Sequence, residues 1–217
     1  MDLGKILDTY FKDKSDSIQI AVFDDKNIYD VFTRIVKVLT LKNEIETSVL
    51  QALSYCFYEI LDNVLTHSEK LCGTAITDFD VDVNKIRILV ADDGIGIANS
   101  LRKNETYKNI SDEEALKQCL LDKVTDGSGM GFGLYSTMRL IEKAGCILRI
   151  HSMNHCLIYD GKNIIVETIE QWNGSLIYME IFSNKELNPN DIVENRTDVI
   201  SQFNETFLDD DNFENLW

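Results

Sequence analysis

The spacing of apolar positions changes period along the chain. SIQIAVF at 17–23 reads as a short strand after a polar, amphipathic start. Residues 27–42 then carry Ile28, Val31, Phe32, Ile35, Val36 and Leu39 at helical spacing. Residues 45–67 repeat the pattern with Val49, Leu53, Cys56, Phe57, Ile60, Leu61, Val64 and Leu65. Two strands follow, 73–80 and 85–91, with VDVN as the turn between them. Residues 98–126 are polar and interrupted. Their one helical stretch is SDEEALKQCLLDK, where Ser111 and Glu114 have the spacing of a capping box. GMGFGL opens a helix over roughly 132–144, ended by Gly145. From 146 the pattern is strand-like in CILRIHSM, HCLIYD, NIIVETI and SLIYMEIF, with turns at Asp160-Gly161 and Asn173-Gly174.

Strands joined by hairpins favour a mainly antiparallel mixed sheet, and consecutive, few helices cover one of its faces. The expected class is an α/β (α+β) two-layer sandwich rather than a doubly wound fold. The domain is expected over 1–184. The single proline, Pro189, marks its edge, and 185–217 form an acidic C-terminal tail. Apolar tail residues, among them Ile192, Val193 and Phe203, suit either docking onto the domain or capture of a partner.

With 217 residues, 44% of them hydrophobic, the chain can bury a substantial core. No apolar run approaches the ~20 residues of a membrane helix. The start, MDLGKILDTYFKDKSD, has no signal-peptide pattern, so a cytoplasmic protein away from membranes is expected. Five cysteines without a CxxC pair read as reduced, buried thiols. The formal charge is −16, and half of it lies in 186–217, where nine acids face one base, Arg196. That balance disfavours nucleic acid as a partner. It also means that a bound triphosphate would need a cation and backbone N–H donors.

Three short stretches carry candidate chemistry. In YEILDNVLTH (58–67), Glu59, Asn63 and His67 fall at i, i+4 and i+8. Each step turns only ~40° around a helix, so the three share one stripe opposite an apolar one. Asn63 can offer Mg²⁺ an oxygen, and Glu59 can polarise an attacking hydroxyl. ADDGIGI (91–97) follows a strand without leading into a matching one. A buried Asp at a strand end can accept a hydrogen bond from an exocyclic amine, which selects adenine over guanine, and glycine beside it lets a base approach the backbone. In DGSGMGFGL (126–134), Gly127, Gly129, Gly131 and Gly133 alternate before a helix, the arrangement that gathers N–H donors and a positive dipole end for phosphate. There is no GxxxxGK[ST] and no GxGxxG.

In order and spacing these residues resemble the GHKL ATPases over roughly 45–182: gyrase B-type, heat-shock chaperone and mismatch-repair ATPases, histidine kinases, and the serine kinases that act as anti-sigma factors. Glu59, Asn63 and His67 look like the family's N-box. Asp92-Asp93-Gly94-Ile95-Gly96 looks like its first glycine box, Gly129-Met130-Gly131-Phe132-Gly133-Leu134 like its second, and Gly174-Ser175 like its late Gly-Ser/Thr strand. The resemblance implies the Bergerat ATP-binding fold, with ATP and Mg²⁺ as ligands. It implies that Asn63 holds Mg²⁺, Asp92 takes the adenine amine, and Ser175 supports it through water. Residues 98–126 would be a lid over the phosphates, with Lys123 and Thr125 as candidate phosphate contacts.

The histidines are His67, in the N-box, and His151 and His155, on predicted strands, which argues against a self-phosphorylating histidine kinase. After residue 182 only an acidic tail is left for any second, lysine-supplying domain. YEILDNVLTHS and GMGFGL look most like the stand-alone anti-sigma-factor-type serine kinases. Two functions are therefore expected to compete. One is an ATPase or serine/threonine-directed kinase acting on a protein partner, with Glu59 as general base. The other is a switch in which ATP orders the lid without turnover. A homodimer is compatible with either.

Overall fold

A computed structural model describes residues 3–11, 18–42, 44–128, 131–193 and Phe203. The elements are α1 (Leu3–Tyr10), β1 (Gln19–Asp24), α2 (Ile28–Thr40), α3 (Thr47–His67), β2 (Cys72–Asp80), β3 (Lys85–Ala91), α4 (Ile97–Leu101), α5 (Asp112–Gln118), α6 (Gly133–Ala144), β4 (Gly145–Tyr159) and β5 (Ile164–Phe182). The strands form one sheet in the order β1-β2-β3-β5-β4. All four pairings are antiparallel, so the sheet is not mixed.

Period-two alternation divides the sheet into two faces. Phe23, Ala75, Phe79, Ile88, Val90, Met179, Ile150 and Leu148 point inward, against Phe32 of α2, Phe57, Ile60 and Leu61 of α3, and Leu140 and Ile141 of α6. Full burial of a side chain the size of Phe32 or Phe57 contributes about 1.5–3 kcal/mol, so this layer holds the fold. Ile76, Leu89, Ala91, Leu176 and Tyr178 point outward and meet Ile6 and Phe11. The expected sandwich is present, and α1 adds a partial layer on its second face.

The strand-like segments after 146 are two long strands, because the chain does not turn at Asn173-Gly174. Gly174 lies inside β5 with φ +87°, and a Cβ there would meet the Asp92 carbonyl oxygen at 2.2 Å. Its turn-like signature serves a close passage of β5 under the 92–96 loop. Gly174→Ala should destabilise the protein by about 2–4 kcal/mol, roughly 5–15 °C in a thermal melt. An unchanged melting temperature would contradict this packing. Opposite Gly174, β4 has a register shift at Ser152/Met153. The Asp160-Gly161 turn forms as expected, with the Asp160 carboxylate accepting from the N–H groups of Lys162 (2.9 Å) and Asn163 (2.7 Å).

Ser111 caps α5, accepting from the Glu114 N–H at 3.1 Å, while the Glu114 carboxylate turns to Gln118 Nε2 at 2.8 Å. Apolar residues of α5 (Ala115, Leu116) join the main core alongside Leu157 of β4. All five cysteines are free, but only Cys56, Cys119 and Cys156 are buried. Cys72 is exposed because it opens β2, beside the edge strand β1. Of the tail, Ile192 and Val193 are fully buried, and Phe203 packs with ring centroids 5.7 Å from both Phe32 and Tyr55. Residues 194–202 and 204–217 lie outside the described residues. No helix among the described residues is long and apolar enough to cross a membrane.

Candidate functional site

One face of α3, the 92–97 loop and the start of α6 enclose a cavity of about 380 Å³, within the usual size range of small-molecule sites. Its walls include Glu59, Asn63, His67, Asp92, Gly96, Thr125, Gly131, Phe132, Gly133, Leu134 and Ser175. The structure thus gathers most of the residues singled out from the sequence. Gly94 and Lys123 are not among the lining residues. The Lys123 side chain is exposed, and its N–H donates to the Gly131 carbonyl at 3.2 Å. Gly129 and Met130 lie outside the described residues.

Asp92 is 3% exposed at the end of β3. Burial raises its pKa, against the N–H groups of Gly94 and Ser175 and the Ser175 hydroxyl, which lower it. The Gly94 N–H donates to Asp92 Oδ1 at 2.7 Å, and the Asp92 N–H to the Ser175 carbonyl at 2.9 Å. One carboxylate oxygen is thereby fixed by the loop. A Cβ on Gly94 would meet the Ser68 carbonyl at 2.1 Å, so the packing of the end of α3 requires a glycine here. Gly96 (φ +77°) closes on Ser152, whose buried Oγ accepts from the Ile97 N–H at 2.9 Å and starts α4.

The second glycine loop meets the α3 stripe at Gly133. A Cβ there would lie 2.9 Å from Asn63 Nδ2 and 3.1 Å from Glu59 Oε2. The first turn of α6 therefore lies directly over the carboxylate and the amide. Its N-cap residue, Phe132, makes no side-chain cap bond among the described residues, and the positive dipole end of the helix lies at the cavity wall. Asn63 makes no side-chain hydrogen bond among the described residues, so its amide oxygen is available to a cation.

Glu59 is the most perturbed acid of the cavity whose shift is upward. Burial, with the nearby Asp62 carboxylate adding to it, pushes its pKa up to about 7, and a hydrogen bond from Tyr55 opposes the rise. Such a group is half-ionised near neutrality, as a general base requires. Tyr55→Phe removes the opposing bond and should move the Glu59 ionisation to higher pH. A carbon-13 titration of the carboxyl resonance reads this directly, and an unmoved or lowered midpoint would contradict it.

Sequence reasoning missed Asp126, Ser100, Tyr55 and Ser152 as parts of the site. Their partners lie 59 (Asp126–His67), 26 (Asp126–Ser100) and 55 (Ser152–Ile97) positions away, with Tyr55 the exception at one helical turn from Glu59. A tyrosine at i−4 to Glu59 was the one available signal.

Residues 49–178, which span all of these walls, match the family model of histidine kinase-, DNA gyrase B- and HSP90-like ATPases. The chain belongs to that family. Membership accounts for the order of the motifs and makes this a GHKL-type ATP-binding domain. The chain is similar to the ATPase region of Saccharomyces cerevisiae topoisomerase II bound to dexrazoxane, with 13% identity over 68% of this chain and 42% of that one, at a TM-score of 0.34. It is likewise similar to a second structure of that ATPase region, with 16% identity, the same coverages and a TM-score of 0.32. The chain thus spans less than half the length of either. No curated protein matches it.

Proposed function

We propose that the chain binds Mg-ATP in this cavity and transfers the γ-phosphate, with Glu59 as general base, to water or to a serine or threonine hydroxyl of a partner protein. The observation that carries the reading is Glu59, raised to about 7 and placed beside Asn63 and the start of α6. Asp92 accepts from the adenine amine with the oxygen that Gly94 does not occupy, and Ser175 assists through water. The N-terminal end of α6, with its positive dipole, receives phosphate. Gly129 and Met130 of the second glycine box, and Thr125 before it, complete the phosphate side, while Lys123 acts from outside the cavity wall.

Four carboxylates (Glu59, Asp62, Asp92 and Asp126) line the cavity, and no lysine or arginine does among the described residues. Bound Mg²⁺ supplies the positive charge that a triphosphate needs there. No group of three or more His, Cys, Asp or Glu side chains converges on a metal position among the described residues. Asn63 would therefore hold the ion together with phosphate and water oxygens, as Mg²⁺ prefers.

Within the family, YEILDNVLTHS and GMGFGL support the anti-sigma-factor-type serine kinases and hence a regulatory role on a protein partner in the cytoplasm. The test is phosphate release, and phosphorylation of a bound partner, by wild type and Glu59→Gln. Loss of both with ATP binding retained supports the mechanism. Equal ATP binding by both proteins, with ATP intact after prolonged incubation, would replace it with the switch.

A further inference from the structure

The carboxylate of Asp126 is engaged by four donors from three segments. Oδ2 accepts from His67 Nδ1 at the end of α3 (2.9 Å) and from Ser100 Oγ of α4 (2.8 Å). Oδ1 accepts from Ser128 Oγ (2.6 Å) and the Ser128 N–H (3.0 Å). Its side chain is 4% exposed, yet it lines the cavity. Burial alone would raise its pKa, but these donors overcome that and hold the carboxyl well below the usual range, so the group is an anion. An imidazole, two hydroxyls and a backbone N–H are also the donors that would hold a phosphate oxygen. They stand just before the loop that leads into α6, and a carboxylate of the chain itself fills them.

We propose that Asp126 is an internal anion that holds His67, Ser100 and Ser128 in the ligand-free protein, and that the phosphate chain of an adenine nucleotide displaces it. Asp126 is then a positioning and specificity-determining residue. It ties residues 125–128 to α3 and α4 until phosphate arrives, and it sets the advantage of phosphorylated over unphosphorylated ligands. The inference rests on the reading of the cavity as an ATP site, since both need phosphate at this wall.

The experiment compares wild type, Asp126→Ala and Asp126→Asn by titration with adenosine, Mg-ADP and Mg-ATP, and by amide exchange of the ligand-free proteins. In Asp126→Ala, adenosine affinity should stay within about twofold, Mg-ADP and Mg-ATP should bind about tenfold tighter, and exchange over 120–128 should speed up about tenfold. Asp126→Asn, which keeps an acceptor without the charge, should shift the same quantities in the same direction by less. Nucleotide affinities that fall, or that follow adenosine, would overturn displacement and leave Asp126 as a support for the loop. Unchanged exchange in both variants would overturn the tie itself, whatever binds. A wild type that binds neither adenosine nor nucleotide would overturn the ATP reading and displacement together, while the exchange result still decides the tie.

Discussion

Asp92→Asn is expected to weaken ATP binding by at least about 10²-fold while leaving the fold intact. The new amide can keep the Gly94 N–H bond through its oxygen, because that bond needs only an acceptor on Oδ1. Its NH₂ then faces the cavity, where the adenine amine also needs an acceptor. Two donors in a buried site leave both unsatisfied, and sites built around a ligand hydrogen bond discriminate by ~10²–10⁵ when it is lost. Titration of ATP and GTP into both proteins, with a thermal melt as control, checks this. Comparable ATP affinity in the variant would remove Asp92 from base recognition.

Glu59→Gln should lower phosphoryl transfer by about 10²–10⁴-fold with nucleotide affinity nearly unchanged. In wild type the rate should rise with pH through a midpoint near 7, where Glu59 loses its proton. The same shift has a consequence for stability. The folded pKa lies above the ordinary 4.5, so the folded state holds more protons than the unfolded one between pH 4.5 and 7. Stability from this group is present below that window and is lost as pH rises through it. Glu59→Gln should therefore stabilise the protein at pH 8 by roughly 1–3 kcal/mol and scarcely at all near pH 4. A variant that loses turnover but gains stability only at high pH separates a catalytic carboxylate from a structural one. Equal melting-temperature changes at both pH values would contradict the buried, proton-holding Glu59.

The motifs were legible because each is short and local. A helical stripe fixes Glu59, Asn63 and His67 by period alone, and the two glycine loops announce themselves by composition. The sandwich was legible because strands joined by short turns imply antiparallel pairing, and the few helices come in consecutive runs that one face can hold. What the sequence concealed depends on distant approach. Asn173-Gly174 reads as a turn in its own neighbourhood, and only the closeness of Asp92 to Gly174 shows why a glycine stands inside a strand. Asp126 has no local partner outside its own turn, and its contacts to His67 and Ser100 exist only once α3, α4 and the second glycine loop have met. The placement of α1 was hidden because its amphipathic pattern does not say which side of the sheet it covers. Phe203 reaches the ring of Tyr55 across 148 positions and so touches the residue that bonds Glu59, a link no periodicity could carry.

Binding of an adenine nucleotide with magnesium in this cavity underlies every role proposed above. Its most direct measurement is a calorimetric titration of wild-type protein with ATP, with and without Mg²⁺. Saturable one-site binding is expected with magnesium and a large loss of affinity without it, since four carboxylates and no lysine or arginine line the described wall. No saturable heat in either condition, or equal affinity in both, would contradict it.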